Sequence, residues 1–157
     1  MMMIIVKRAV AAASRNRGLV HREASSATSS VRPACISLLK APPPSPSYKG
    51  LELEYDQGQK LCFSAEFLRV HSPSADSMRT TARGKKRVIA GRRHVHILGI
   101  EPVGKYGIRI IYDDTHDTGI YTWNYLHDLG SKKFYYMREY IKSLWEEGLT
   151  REPGKKK

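Results

Sequence analysis

Four side chains that could bind a metal ion or move a proton crowd one short polar segment of the sequence. Asp113, Asp114, His116 and Asp117 lie between two runs of strand-like residues. Imidazole and carboxylate groups are ligands that zinc and iron accept. Polar hairpin tips with several acids also occur without any metal. The segment therefore predicts either a metal site that uses His116 or a turn in which His116 hydrogen-bonds the backbone.

Further histidines are candidates for the same metal site. His94 and His96 alternate on a predicted strand and would share one face of it, and His71 could approach from an earlier turn. The chain has only two cysteines, Cys35 and Cys62, which cannot build a four-cysteine zinc site or a disulfide framework. Zinc or iron is therefore the alternative to our expectation that no cofactor is bound.

The common catalytic motifs are absent from the sequence. An iron-dependent dioxygenase needs two histidines and a carboxylate, and no His-x-Asp pair occurs. The phosphate-binding G-x-x-x-x-G-K-[ST] loop and the G-x-S-x-G nucleophile motif are missing as well. Cys62 has no identifiable group that would activate its thiol. We predict that the chain is not an enzyme.

The chain is strongly basic, with 27 Lys and Arg against 15 Asp and Glu and a formal net charge of +12. One basic cluster lies in residues 79–93, and no acid occurs in residues 77–93. Such a cluster could bind nucleic-acid phosphates, but the segment has no aromatic platform for bases. We expect a solvated loop or a contact surface for a protein partner, and nucleic acid as the weaker alternative. The binding candidates in this loop are Arg83, Lys85, Lys86 and Arg87.

The first 40 residues resemble an organelle address in composition. They are rich in Arg, Ser and Ala, and Glu23 is their single acid. We predict a disordered transit peptide over residues 1–40 and a mitochondrial location, with the chloroplast or a basic terminus without an address as alternatives. Prolines then predict an extended linker over residues 41–48.

Residue patterning after the linker predicts a small α+β domain. Alternation predicts a hairpin over residues 51–63 and strands over residues 94–100, 108–112 and 119–123. Ser64 is placed to cap a short helix, and Asn124 to cap another. We therefore predict a small mixed, mostly antiparallel sheet with short helices and a C-terminal helix. No run of 18 apolar residues occurs, so we predict no membrane span.

The end of the chain predicts a helix over residues 131–147, followed by a basic tail over residues 148–157. Apolar residues recur in it at helical spacing and predict a stripe that faces either the core or a partner. The stripe consists of Phe134, Met137, Ile141, Leu144 and Trp145. Tyr135, Tyr136 and Tyr140 are expected near the same contact surface.

Three sequence blocks carry a family resemblance. They are residues 68–76 (LRVHSPSAD), 100–107 (IEPVGKYG) and 114–123 (DTHDTGIYTW). In this order they resemble the gamma-butyrobetaine hydroxylase-like N-terminal domain family, over about residues 50–130, and we place the domain at residues 49–130. Members of that family precede the catalytic domain of certain dioxygenases, follow some plastid iron–sulphur carrier ATPases, or stand alone.

The resemblance also implies where a metal would be bound. The dioxygenase members hold a structural zinc with three cysteines and one histidine. The corresponding positions here are Ser72, Ser74, Ser77 and His116. A neutral serine hydroxyl is a poor zinc ligand, so the resemblance places this chain in a metal-free branch. Thr115 stands where the family usually has Gly, which predicts a strained or altered turn.

Four more residues are candidates for a small-ligand pocket, namely Arg69, Arg109, Tyr121 and Trp123. The alternative is structural: the arginines would pair with Glu101 or Asp117, and the aromatic rings would fill the core. The function we predict is a non-catalytic accessory or interaction domain. The family's fusions connect it with iron–sulphur protein maturation, or with a mitochondrial metabolic or respiratory assembly, which is an associational argument.

Overall fold

The structure is a computed structural model that describes residues 31–42, 45–75, 77, 80, 84 and 87–154. The described residues form six strands and three helices. In chain order these are β1 (Cys35–Lys40), β2 (Tyr48–Glu54), β3 (Lys60–Ser64), α1 (Ala65–Val70), β4 (Ile97–Val103), β5 (Gly107–Tyr112), β6 (Ile120–Thr122), α2 (Trp123–Ser131) and α3 (Lys133–Glu146).

The six strands form one sheet in the order β1-β2-β4-β5-β6, and β3 pairs with β2 beside this path. Every strand pair of the described chain is antiparallel. The contact between β2 and β4 is a single pair, Tyr48 with Ile97, because β3 occupies the rest of that edge of β2. The α+β class and the mostly antiparallel sheet with a C-terminal helix are confirmed.

Strand β1 corrects the predicted boundaries of the domain. Its residues were expected to belong to a disordered segment that ends at residue 40, yet they pair with β2 along its length. Ile36 and Leu38 point into the core at 1% and 7% exposure. The predicted linker is the connection of this hairpin, in which the Ala41 N–H donates to the Ser47 carbonyl over 3.1 Å. The targeting prediction for residues 1–30 lies outside the described residues.

The hairpin and the helix after it follow the predicted pattern. Leu51 and Leu53 on β2 are fully buried, while Glu52 and Glu54 between them are partly exposed. Strand β3 returns beside β2, and the Ser64 hydroxyl then accepts the Phe67 N–H over 3.2 Å and caps α1. All six residues of α1 are buried.

The second half of the domain differs from the predicted pattern at its helix boundaries. Helix α2 begins at Trp123 and is capped by Thr122, whose hydroxyl accepts the Tyr125 N–H over 3.3 Å. The prediction of Asn124 as the cap was therefore wrong by two residues. The chain then turns at Lys132 and continues directly as α3. No helix of the described residues is long and apolar enough to cross a membrane.

The two faces of α3 have opposite character. Leu144 and Tyr140 pack against Val70 of α1 in a small cluster separate from the main core. Phe134 is 89% exposed and Trp145 is 83% exposed, so neither belongs to a core. The predicted stripe is thus divided between Leu144 and Met137, which pack against the core clusters, and Phe134, Ile141 and Trp145, which face solvent.

Residues in β1 allow a direct test of the domain boundary. Ile36→Ala should lower the free energy of unfolding by about 2–4 kcal/mol, because it removes a buried side chain and leaves a cavity. Leu39→Ala on the same strand, at a site that is 39% exposed, should cost less than about 1 kcal/mol. Chemical denaturation of both variants measures the difference, and equal effects would show that β1 is not part of the folded domain.

Candidate functional site

The fold brings together Ser72 and His116, which are 44 positions apart in sequence. Ser72 follows α1, His116 lies in the loop between β5 and β6, and Ser72 Oγ is 2.8 Å from His116 Nε2. Ser74 donates its hydroxyl proton to Ser77 Oγ over 2.9 Å, and Ser74 Oγ accepts the Ser77 N–H over 3.3 Å. The three serines are 2–3% exposed. The positions that the resemblance aligned with zinc ligands therefore form two hydrogen-bonded pairs, in which the three serines are buried and His116 is partly exposed; we call these four residues the serine cluster.

The donor set of this cluster does not fit zinc. Zinc sites are built from thiolate, imidazole and carboxylate groups, and here one imidazole stands among three hydroxyls. The serine hydroxyls already bond to His116 or to each other. The described part of the chain contains no group of three or more His, Cys, Asp and Glu residues that could hold a metal ion.

The contact between Ser72 and His116 has the distance of a nucleophile and its general base. Ser72 is nevertheless only 2% exposed, and a Cβ at Gly119 would overlap its hydroxyl. The backbone of Gly119 therefore covers the oxygen that would attack a substrate. This pair is suited to holding the β5–β6 loop against the end of α1.

A row of tyrosine hydroxyls continues the polar cluster into the core. Tyr121 donates its hydroxyl proton to the Leu68 carbonyl over 2.8 Å and lies 2.9 Å from the Tyr112 hydroxyl. Tyr125 donates to the His71 carbonyl over 2.6 Å. These bonds satisfy carbonyls at the end of α1 that have no partner within the helix. Burial raises the pKa of Tyr121 and of Tyr125 to about 12, so both hydroxyls stay protonated.

Two arginines share one carboxylate beside this cluster. Arg69 Nε of α1 lies 2.8 Å from Asp114 Oδ2, and Arg92 Nε lies 3.0 Å from the same oxygen. The Arg92 contact has ion-pair distance without hydrogen-bond geometry. The His116 N–H donates to Asp114 Oδ1 over 3.4 Å. Thr115 between them has a φ of 65°, which confirms the prediction of a strained turn.

The other histidines do not form a cluster with His116. His96 Nδ1 lies 3.2 Å from Asp113 Oδ2, and His94 Nε2 lies 2.9 Å from Glu152 Oε2 of the C-terminal tail. His71 turns toward its own helix, with Nδ1 2.9 Å from the Phe67 carbonyl. All three were predicted as possible neighbours of the acidic turn, and among the described residues His96 contacts it through Asp113.

The remaining predicted site residues are dispersed. Arg109 is exposed and pairs with Glu101, its cross-strand neighbour. Tyr121 is fully buried, and Trp123 is 6% exposed with its indole N–H donating to the Lys105 carbonyl over 2.8 Å. These aromatic residues belong to the main core cluster, as the structural alternative predicted. Arg83, Lys85 and Lys86 lie outside the described residues.

Arg87 is exposed and lines a pocket of about 280 Å³ together with Arg69, Arg92 and His116. Sequence reasoning missed Arg92 as a site residue. Arg92 belongs to the basic cluster of residues 79–93, and its ion pair with Asp114, which distinguishes it from the other basic residues there, is visible only in the tertiary structure.

The Cys62 thiol is not activated. Its Sγ donates to Glu52 Oε2 over 3.2 Å across the β2–β3 pair. Burial and then the hydrogen bond and charge of Glu52 raise the pKa of this thiol. Cys62 is therefore a poor nucleophile at neutral pH.

Comparisons with known proteins identify the kind of domain. The family model described as gamma-butyrobetaine hydroxylase-like, N-terminal, matches residues 45–127, more than half of the chain. One similar solution NMR structure is 36% identical, with 69% of this chain and 84% of the other chain covered and a TM-score of 0.58. A second solution NMR structure is 32% identical, with coverage of 85% and 92% and a TM-score of 0.61.

A crystal structure of a protein of unknown function from Acidithiobacillus ferrooxidans, which belongs to the DUF971 family, is also similar. It is 30% identical, with 52% of this chain and 80% of the other covered and a TM-score of 0.43. No curated protein matches this chain.

Restoring the thiols tests the serine cluster. The triple variant Ser72→Cys, Ser74→Cys and Ser77→Cys should bind about one zinc per chain, because it places three thiolates beside His116. Adding His116→Ala should lower the zinc affinity strongly, and the unaltered chain should hold less than about one-tenth of an equivalent. Elemental analysis after purification without chelators or a histidine tag measures this. If the triple variant bound no zinc, these four positions would not lie close enough together to hold one metal ion.

The tyrosine row predicts loss of stability in alkali. Tyr125 has a pKa of about 12 in the folded chain against 10.0 for an unperturbed tyrosine. Its contribution to stability is present below about pH 10 and is lost as pH rises toward about 12, because the unfolded chain loses this proton first.

Chemical denaturation at several pH values between 8 and 12 tests whether the free energy of unfolding falls as the pH rises. Over this range the free energy of unfolding of Tyr125→Phe should fall by about 1 kcal/mol less than that of the unaltered chain. The difference is this small because Tyr125 is partly exposed. Tyr106→Phe, at an exposed tyrosine, should follow the unaltered chain. The same pH dependence in the Tyr125→Phe variant and the unaltered chain would refute the prediction.

Proposed function

The chain belongs to the gamma-butyrobetaine hydroxylase-like N-terminal family, and from this premise we propose that it is a non-catalytic interaction domain that binds a protein partner through α3. The observation that carries the proposal is the exposure of Phe134 at 89% and Trp145 at 83% on one face of that helix. Ile141 lies between them at 46% exposure. Positions 134, 138, 141 and 145 fall on one side of a helix, and we call this side the exposed α3 face.

The exposed α3 face belongs to a helix that is fixed in place. On its other side Leu144 is 3% exposed, and the Tyr140 hydroxyl donates to the Ile89 carbonyl over 2.9 Å. Burial raises the pKa of Tyr140 to about 12, so this donor is retained at physiological pH. Binding a partner here would cost little conformational entropy, because the helix is already ordered by its own core contacts.

Charge indicates the chemistry of the partner. Arg138 stands within the exposed α3 face and has no carboxylate within ion-pair distance among the described residues. Lys142 beside it has only a long 4.0 Å contact with Glu146. Exposed aromatic side chains with an arginine are typical of binding hot spots. We therefore propose that the partner is a protein that offers an apolar groove with an acidic rim, in which α3 lies as a helix in a groove.

Ser72 and Cys62 are both poorly suited to act as nucleophiles. The Ser72 hydroxyl is covered, and the raised pKa of the Cys62 thiol keeps it protonated. The His-x-Asp pair that iron-dependent dioxygenases use does not occur in the printed sequence.

The biological setting of the proposal comes from the family's domain fusions and the predicted address. We propose an iron–sulphur maturation protein as the first partner class to test, and a metabolic or respiratory assembly as the second. The mitochondrial location, with the chloroplast as alternative, is part of the same proposal. Fusion in other proteins is an associational warrant.

The test measures direct binding with a matched control. Proteins captured from mitochondrial extract by the unaltered chain are identified, purified and titrated against three chains: unaltered, Phe134→Gln with Trp145→Gln, and Tyr135→Gln. Removal of the Phe134 and Trp145 rings should raise the Kd at least about 100-fold. Tyr135 is an exposed aromatic residue outside the face, at 61% exposure, so its variant should bind within about threefold of the unaltered chain. Arg138→Glu should weaken binding, more at low salt.

Other occupants of the exposed α3 face give distinct results. Dimerisation in sedimentation that the double variant abolishes would assign the face to a second copy of the chain. Binding to anionic vesicles, lost in the same variant, would assign it to a membrane surface. An equal Kd for the unaltered chain and the double variant, or no protein enriched by the former over the latter, would refute the proposal.

A further inference from the structure

The pocket beside His116 has a cationic wall that neither the family nor the proposed interaction surface explains. It has a volume of about 280 Å³ and lies against α1 and the segment that leads into β4. Arg69, Arg87 and Arg92 line it, with Ser77 and His116. Val88, Ile89 and Ala90 form its apolar part.

The charges around the pocket do not balance. Asp114 is the one carboxylate of the described residues within 4.0 Å of these arginines, and it engages Arg69 and Arg92 through a single oxygen. Arg87 has no carboxylate partner in the described chain and is exposed. Among the described residues, three guanidinium groups face one carboxylate, which leaves an excess of two positive charges.

A buried hydroxyl adds a neutral donor. Ser77 is 3% exposed and still lines the pocket. Its Oγ accepts the Ser74 hydroxyl proton, while its N–H donates to Ser74 Oγ. Each hydroxyl has one proton, so the proton of Ser77 remains available to a group in the pocket.

These donors match the phosphate group. The planar fork of a guanidinium pairs with phosphate oxygens through two parallel hydrogen bonds. A phosphate monoester carries about two negative charges at neutral pH, which equals the excess on the wall. The apolar residues Val88, Ile89 and Ala90 of the same lining lower the local dielectric and strengthen the attraction. We propose that this pocket binds the phosphate group of a small phosphorylated molecule, with Arg87, Arg92 and Ser77 as donors.

Calorimetric titration of the full chain with inorganic phosphate, at constant ionic strength, tests the proposal. We expect saturable binding of one phosphate per chain. Phenyl phosphate should bind more tightly than inorganic phosphate, because its ring can contact the apolar part of the pocket. Arg87→Gln should weaken phosphate binding by about tenfold, the scale of one hydrogen bond between charged groups. Arg87 is exposed, so this change should leave the melting temperature unaltered.

The matched control removes one arginine elsewhere on the surface. Arg109→Gln eliminates the same charge on β5 outside the pocket lining and should leave the affinity unchanged. Ser77→Ala should weaken binding by a few-fold. If Arg87→Gln and Arg109→Gln lowered the phosphate affinity equally, phosphate would be attracted by the net positive charge of the protein and not by this pocket. Absence of saturable binding up to about 10 mM phosphate, or tighter binding of succinate, would also overturn the proposal. Phe134→Gln with Trp145→Gln should leave phosphate binding intact, which separates this test from that of the interaction surface.

Discussion

The buried charges of α1 constrain most of the structure. Glu66 is 6% exposed and Arg69 is 8% exposed in a helix of six buried residues. Removing a charge from water costs several kcal/mol unless an opposite charge and hydrogen bonds compensate for it. Arg151 Nε of the C-terminal tail donates to Glu66 Oε1 over 2.7 Å, and Asp114 of the β5–β6 loop accepts from Arg69. Two distant segments are thereby tied to one short helix.

The same ties create the candidate site. Because Asp114 is drawn to Arg69, His116 two residues later reaches Ser72 at the end of α1. The tyrosine hydroxyls then satisfy carbonyls at that helix end that have no partner within the helix. The positions aligned with a family metal site hold in this chain a hydrogen-bond network in which Ser72 contacts His116 and Ser74 contacts Ser77, since neutral hydroxyls can bond to one another where thiolates would require a cation. The arginines that surround the network are left facing a pocket with too few negative charges.

The domain thus separates an inert interior from two distinct surfaces. The tyrosine hydroxyls and the contact of Ser72 with His116 hold the end of α1 in place, while the hydroxyl proton of Ser77 is left for a group in the pocket. The exposed α3 face carries three apolar side chains and Arg138 on a helix anchored by Tyr140 and Leu144, whereas the pocket beside the serine cluster is lined by three arginines. A protein partner and a small anion could therefore be bound without competition for the same residues.

The sequence by itself determined the elements with strong local signals. The alternation around Leu51 and Leu53, the Ser64 cap and the α+β class depend on contacts within a few residues, so periodicity suffices to predict them. The order of the family blocks also located Ser72 and His116 at one site. Strand β1 was not predicted, because the burial of Ile36 and Leu38 depends on the pairing of β1 with β2 and not on a pattern within β1 itself.

Only the tertiary structure decided the partners of the charges and the orientation of α3. Arg69 was expected to pair with Glu101 or Asp117 and pairs with Asp114, while nothing in the sequence joined Glu66 to Arg151. Helical spacing grouped Leu144 with Phe134 and Trp145, although only Leu144 meets the core. Long-range pairing depends on how elements pack in three dimensions, and residue type and local spacing carry no information about that packing.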